Sequence, residues 1–378
     1  MNPWSIFAGL AGGVGLFLLG MWMMTEGLKL SAGPQLEQML ARATRSRARG
    51  MAAGVLVTAI VQSSSAVTVA TIGFVNAGLL NLSQALWVLF GTNVGTTMTG
   101  WLVAVVGLKF KIEALALPLV GLGMLLRMGG EAGRHGALGM ALAGFGVLFI
   151  GIVTLQGGFA GLAADFQIPA GVGPLHTLML VGIGVVLTVL MQSSSAALAA
   201  VLTAAQGGML SLHGAAAVVI GSNIGTTVTA LLAAIGATPN ARRAAAAHLL
   251  FNALTGGVAL LFLPWLVGAL GALADASGLA RGIAAELALF HTTFNLLGLL
   301  LMWPLAERLT RFLERRFRTQ EEDEARPRYA TAAPTASTSP PARASFLWRG
   351  LMVTNPFGAT DSCRGALTCR PVQRCRRP

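Results

Sequence analysis

Thr58-Ala59-Ile60-Val61-Gln62-Ser63-Ser64-Ser65-Ala66 returns 130 residues later as Thr188-Val189-Leu190-Met191-Gln192-Ser193-Ser194-Ser195-Ala196. A second stretch keeps the same offset: Gly91-Thr92-Asn93-Val94-Gly95-Thr96-Thr97-Met98-Thr99 recurs as Gly221-Ser222-Asn223-Ile224-Gly225-Thr226-Thr227-Val228-Thr229. Two different polar motifs holding one spacing mark an internal duplication. Upstream, the region from Gly20 to Gly27 resembles that from Gly151 to Gly158 with a slip of one residue.

The surroundings of these motifs are apolar. Of 378 residues, 54% are hydrophobic and only 11% charged, where a soluble domain carries about 25% charged residues. Mean hydropathy is +0.71. Such a chain has no water-facing shell, and its solvent is lipid. Apolar runs of spanning length fall at about 5–24, 84–107, 112–128, 137–156, 212–237, 243–267 and 282–304, about seven full spans by the ~20 residues that a hydrocarbon core requires. Two further runs, about 51–80 and 177–210, are interrupted near the middle by Gln-Ser-Ser-Ser. Polar backbone breaks at membrane depth persist only inside protein or beside a wet cavity, so both runs read as re-entrant helical hairpins. The expectation is an all-α polytopic membrane protein of two repeats.

An odd number of crossings, three, separates the starts of the two copies, so the second copy is inverted. Charge agrees. Arg42, Arg45, Arg47 and Arg49 precede the first hairpin, whereas 164–176 before the second holds Asp165 and no Lys or Arg. Positive-inside then places the first loop in the cytoplasm, with Arg127, Arg134, Arg242 and Arg243, and the amino terminus outside. Lys109 and Lys111 run against this assignment. The expected organisation is repeat 1 over 1–130, repeat 2 over 131–270, a last span and cytoplasmic helix over 271–318, and a disordered basic tail over 319–378. The net charge of +12 lacks a basic stripe interleaved with aromatics, so nucleic acid is not expected. Cys363, Cys369 and Cys375 lie in the tail without metal-ligand spacing.

A buried hydroxyl or amide without a partner costs about 1–3 kcal/mol, so two Gln-Ser-Ser-Ser clusters at membrane depth imply something to bind. Ser, Thr, Gln, Asn and backbone carbonyls coordinate a hard cation without net charge. Half-helix amino ends offer N–H groups and a positive dipole to an anion. Gly-x-Asn-x-Gly-Thr-Thr adds further oxygens, including Asn223. Interhelical packing explains a single serine cluster well and a duplicated pair poorly. His248-x-x-Phe251-Asn252 and His291-x-x-Phe294-Asn295 either support the site, carry a proton, or pack as satisfied core histidines. Glu26 and Lys29 read as an interfacial pair near a span end. A serine hydrolase is disfavoured, because duplicated serine clusters lack the asymmetry of one nucleophile and one base.

The paired Gln-Ser-Ser-Ser-Ala and Gly-(Thr/Ser)-Asn-(Val/Ile)-Gly-Thr-Thr motifs resemble those of the type II sodium–phosphate cotransporter family over about residues 5–304. The resemblance implies sodium-coupled symport of inorganic phosphate in a bacterial inner membrane, without a cofactor or enzymatic activity. It also implies that Gln62, Ser63, Ser64, Ser65, Gln192, Ser193, Ser194 and Ser195 line the phosphate site. The implied sodium ligands are Gln192, Ser193, Asn223, Thr226 and Thr229, with Gln62, Ser63, Asn93, Thr96 and Thr99 as first-copy counterparts. Pro118 stands where the first copy would carry the His-x-x-Phe-Asn histidine. A transporter of another small oxyanion, coupled to sodium or protons, is the alternative, and the sequence leaves the oligomeric state open.

Overall fold

The computed structural model describes residues 3–32, 46–109, 112–130, 133–165, 173–277 and 282–317. The tail from 319 with its three cysteines, Arg42, Arg45 and Lys111 lie outside them, as does most of the loop before the second hairpin. Every regular element among the described residues is a helix. First come α1 (Pro3–Ala32), the pair α2 (Arg47–Val61) and α3 (Ser64–Asn76), then α4 (Leu82–Lys109) and α5 (Ile112–Met128). The order then repeats: α6 (Arg134–Asp165), the pair α7 (Pro174–Met191) and α8 (Ser194–Gln206), α9 (Leu212–Gly225) with the short α10 (Thr227–Ala233), and α11 (Pro239–Leu261). Two more helices follow, α12 (Leu263–Ser277) and α13 (Ile283–Arg316).

The duplication is visible in the packing. At Gly95 an added Cβ would lie 2.6 Å from the Val55 carbonyl oxygen and 2.7 Å from Thr58 Cβ. At Gly225 the same neighbours return as the Val185 carbonyl, at 2.9 Å, and Thr188 Cβ, at 2.8 Å. Each hairpin's first arm therefore lies against the following span with glycine at the crossing, the close-approach packing that small residues permit in lipid.

The inversion follows from α1 and α6, the first helix of each copy. A Cβ at Gly13 would meet Leu155, at Gly20 Leu148, and at Gly27 Ala137 and Ala141. Positions rise along α1 as they fall along α6, so these equivalent helices run antiparallel. Reading α1, α4, α5, α6, α9–α10, α11 and α13 as crossings keeps the number at seven. By length and composition alone, six helices among the described residues could cross a membrane. That set includes Pro174–Met191, an arm of the second hairpin. It leaves out α4, which carries the polar motif, and the described part of α5, which is short.

Two expected spans are interrupted. The run 212–237 turns at Thr226, between α9 and α10. The run 243–267 ends at Leu261, and Pro264 enters α12 in its first turn, where a missing N–H is tolerated. At 15 residues, α12 is about 22 Å long and too short to cross unaided. The helices on either side of it are antiparallel: Thr255 packs on Gly298, while Arg243 donates to the carbonyls of Glu314 and Phe317 at the other end.

Burial sorts the two arms of the second hairpin. On α7, Leu175, Leu178, Met179, Ile183, Val186 and Leu190 form an exposed apolar stripe at helical spacing. Such a stripe is what a helix bordering lipid presents. Every residue of α8 from Ser194 to Ala205 is buried. Its sequence is small and apolar on all sides, as a fully enclosed helix requires.

Candidate functional site

Each hairpin breaks in the same way. Gln62 and Gln192 are the two non-glycine residues with positive φ among the described residues, at 55° and 50°. The left-handed region costs a residue with a Cβ about 1–2 kcal/mol, so the surroundings must hold it there. Part of that hold is visible. The Gln62 N–H donates to the Thr58 carbonyl at 2.7 Å, and its Nε2 donates to the Ala59 carbonyl. Gln192 Nε2 donates to the Val189 carbonyl at 2.6 Å. The glutamine thus caps the arm it ends and keeps its own Oε1 for other use.

The next serine starts the return arm. Ser63 and Ser193 are extended N-caps, each accepting from the N–H three residues on at 3.2 Å. Beyond them the first-turn N–H groups of α3 and α8 have no partner within the helix. Each amino end carries about half a positive charge.

All eight Gln-Ser-Ser-Ser residues line one cavity of about 260 Å³. Two half-helix amino ends and a ring of neutral oxygens therefore meet in one space. Thr99 joins the copies directly, donating to Gln62 Oε1 at 3.0 Å and lying 3.3 Å from Ser195 Oγ. Thr229, its counterpart, donates instead to the Thr226 carbonyl at 2.8 Å. Gln62 is buried and Gln192 exposed. The two halves are thus unlike: the first glutamine is closed over and the second stands open to the cavity.

The remaining motif residues gather elsewhere. Asn93 Nδ2 and Asn223 Nδ2 both donate to Asn252 Oδ1 at 3.0 Å, and Asn223 Nδ2 reaches Asn295 Oδ1 at 3.1 Å. Thr96 donates to the Thr92 carbonyl at 2.8 Å, and Thr226 to that of Asn223. A buried asparagine hub thereby ties the helices of both copies to α11 and α13. The structure brings Gln62 and Thr99 together but engages Asn93 and Asn223 with the hub. Asn252 and Asn295 are additions to the sequence-derived set; their signal was the repeated His-x-x-Phe-Asn. Of the three readings left open for the histidines, packing with satisfied rings is the one the described contacts do not support. Among the described residues, both ring nitrogens of His248 and Nδ1 of His291 are buried without a partner, and each asparagine bonds the histidine's backbone carbonyl rather than its ring.

Asn252→Leu removes an acceptor shared by two buried amides, and orphaned donors cost about 1–3 kcal/mol each. A clear fall in Tm in detergent is the expected result; unchanged melting would show that the hub carries no stability.

The family model described as Na+/Pi-cotransporter matches residues 16–157 and 175–302, and each matched segment holds one Gln-Ser-Ser-Ser and one Gly-x-Asn-x-Gly-Thr-Thr motif. The chain belongs to this family. Members of the Na+/Pi-cotransporter family are membrane transporters, not enzymes, and the apolar helices accord with a multi-pass membrane protein. Among its relatives is "Uncharacterized protein YqeW" of Bacillus subtilis, 34% identical over 302 residues, covering 79% of this chain and 94% of that protein. "Putative inorganic phosphate export protein YjbB" of Salmonella typhimurium is 29% identical over 82% of this chain. The aligned part is 55% of YjbB, so the chain spans about half the length of that relative. "Sodium-dependent phosphate transport protein 2A" of Oryctolagus cuniculus is 44% identical over 55 residues, 15% of this chain and 9% of that protein. No solved structure matches the chain.

Proposed function

We propose that the protein is a secondary active transporter that carries inorganic phosphate across the membrane together with sodium. One observation carries this reading: eight motif side chains from two oppositely oriented hairpins line a single cavity at which two helix amino ends converge. Phosphate suits the amino ends and serine hydroxyls of α3 and α8, since free N–H groups and a positive dipole bind an oxyanion without a buried Arg or Lys. Sodium suits the amide, hydroxyl and carbonyl oxygens. Gln62 with Thr99 offers such a set in the first copy; Gln192 and Ser193, with Thr226 and Thr229 beyond them, offers one in the second. One relative is named for sodium-dependent phosphate transport and another for phosphate export. Both names agree with phosphate as cargo, and the gradients set the direction.

Lys29 sits at the end of α1 that packs on the first turns of α6, where Gly27 meets Ala137 and Ala141, and the Arg127 backbone packs against Gly139 in the same part of α6. Positive-inside makes this the cytoplasmic face of a plasma membrane, with the amino terminus outside. From the serine level at Met21 the cavity lining continues along α1 to Glu26 and Lys29, whose side chains are 38% and 40% exposed, and this favours an opening toward this face.

Purified protein in proteoliposomes is expected to move labelled phosphate only when a sodium gradient is imposed. Undiminished flux in sodium-free buffer would reject the coupling, and absence of flux under every gradient would reject transport.

A further inference from the structure

The part of the cavity wall given by α1 is a stripe at helical spacing: Leu18, Met21, Trp22, Thr25, Glu26 and Lys29. Among the described residues of the lining, Glu26 and Lys29 are the ones that carry charge. Lys29 Nζ lies 3.8 Å from Glu26 Oε2, with the two side chains 40% and 38% exposed. A pair this long and this wet contributes little to holding α1 together. Both side chains also stand on the wall of the cavity, together with the serines.

Their height is fixed by Met21, whose Sδ is 3.6 Å from Ser193 Oγ. Glu26 is five residues further along α1, about 7.5 Å of helix rise, and Lys29 eight residues, about 12 Å. Both backbone positions stand off the serine level along the cavity wall. Both border the path between that level and the open face. Opposite charges 3.8 Å apart largely cancel at a distance, so each acts at short range, on an ion already at the cavity mouth. A vestibule of one sign would attract one co-substrate and repel the other, whereas adjacent opposite charges serve both.

The geometry points to Glu26 and Lys29 as the ion-recruiting pair of the cavity mouth, Lys29 collecting the oxyanion and Glu26 the sodium ion. The inference rests on the reading of the chain as a sodium–phosphate transporter and adds entry determinants away from the binding level. The pair acts on ions arriving from its own face only, and through capture rather than turnover.

Labelled inorganic phosphate flux into and out of oriented proteoliposomes tests this. Lys29→Gln raises the phosphate KM at the Lys29 face about fivefold, near the most that an exposed ion contact supplies. The maximal rate and the KM at the opposite face stay unchanged. Lys29→Arg keeps the wild-type KM. High ionic strength narrows the gap between Lys29→Gln and the wild type, because screening weakens both the Lys29 attraction and the Glu26 repulsion left unopposed in the variant. Glu26→Gln raises the half-saturating sodium concentration at that face. Unshifted constants in both variants, equal shifts at both faces, or a loss of maximal rate alone would overturn the pair's role while wild-type sodium-driven flux stands. A wild type without sodium-driven flux would overturn the transport reading itself.

Discussion

Ser193→Ala is expected to cut sodium-driven phosphate flux about a hundredfold while the protein still folds. The hydroxyl has two uses. As N-cap it accepts the Ala196 N–H at 3.2 Å, and losing such a cap costs about 1 kcal/mol of helix stability. As part of the cavity lining it is proposed to touch cargo, where a hydrogen bond to a charged group is worth about 1.5–3 kcal/mol. At 1.4 kcal/mol per tenfold, the second use dominates flux and the first barely moves Tm. Gln192→Ala acts in the same direction, because its Nε2 holds the end of α7 through the Val189 carbonyl and its Oε1 is left for the cavity. Flux within threefold of wild type for both variants would remove the second motif from the site. A large Tm loss would mean that the serine is needed for the fold rather than for cargo.

The sequence made the hairpins legible because their signal is doubly constrained. A polar triplet inside an apolar run has few physical explanations at membrane depth, and its return at a fixed offset excludes accident. The structure places the breaks at Gln62 and Gln192, with the serines capping the return arms. Inversion was legible as the parity of the crossings and is seen as the antiparallel contact of α1 with α6. The asparagine hub was only half legible. Asn93 and Asn223 stood out by repetition, but the acceptors Asn252 and Asn295 lie on α11 and α13, and Pro118 in the first copy hides the pattern. Glu26 and Lys29 read as an interfacial pair, since local spacing cannot tell which face of α1 meets lipid and which meets the hairpin tips. The lesser bends at Thr226 and Phe262 had marks, the Gly-Thr-Thr of the second motif and Pro264, but a long apolar run outweighed them when spans were read by length. Leu82 and Leu212, which open the two motif-bearing helices, stand at the same 130-residue offset, yet α4 continues through Thr96 while α9 stops before Thr226. Two related sequences thus adopt two local conformations, as does the pair Thr99 and Thr229, and the motif they share does not fix the difference.

Gly184→Ala and Gly182→Ala, two residues apart on α7, are expected to have opposite effects on stability. A Cβ at Gly182 meets nothing within 4 Å, and alanine there gains about 0.5–1 kcal/mol over glycine in a helix interior. A Cβ at Gly184 would collide with the Val218 carbonyl oxygen and lie 2.8 Å from the Ser222 nitrogen. Both obstacles are backbone of α9, which cannot swing aside as a side chain can, so the helices must separate. Overpacking of this kind costs about 1–3 kcal/mol, and the strain falls close to the site. One turn further along, Thr188 Oγ1 donates to Ser222 Oγ at 2.8 Å, and Gln192 follows at the end of the arm. Gly184→Ala should therefore lower Tm and phosphate flux together, and Gly182→Ala should raise Tm or leave it unchanged with flux intact. The duplication supplies an internal check. Gly54 meets the carbonyl of Val88 as Gly184 meets that of Val218, so Gly54→Ala should lose stability as Gly184→Ala does. If Gly184→Ala melts and transports like the wild type, the close contact of α7 with α9 does not set the position of the second hairpin.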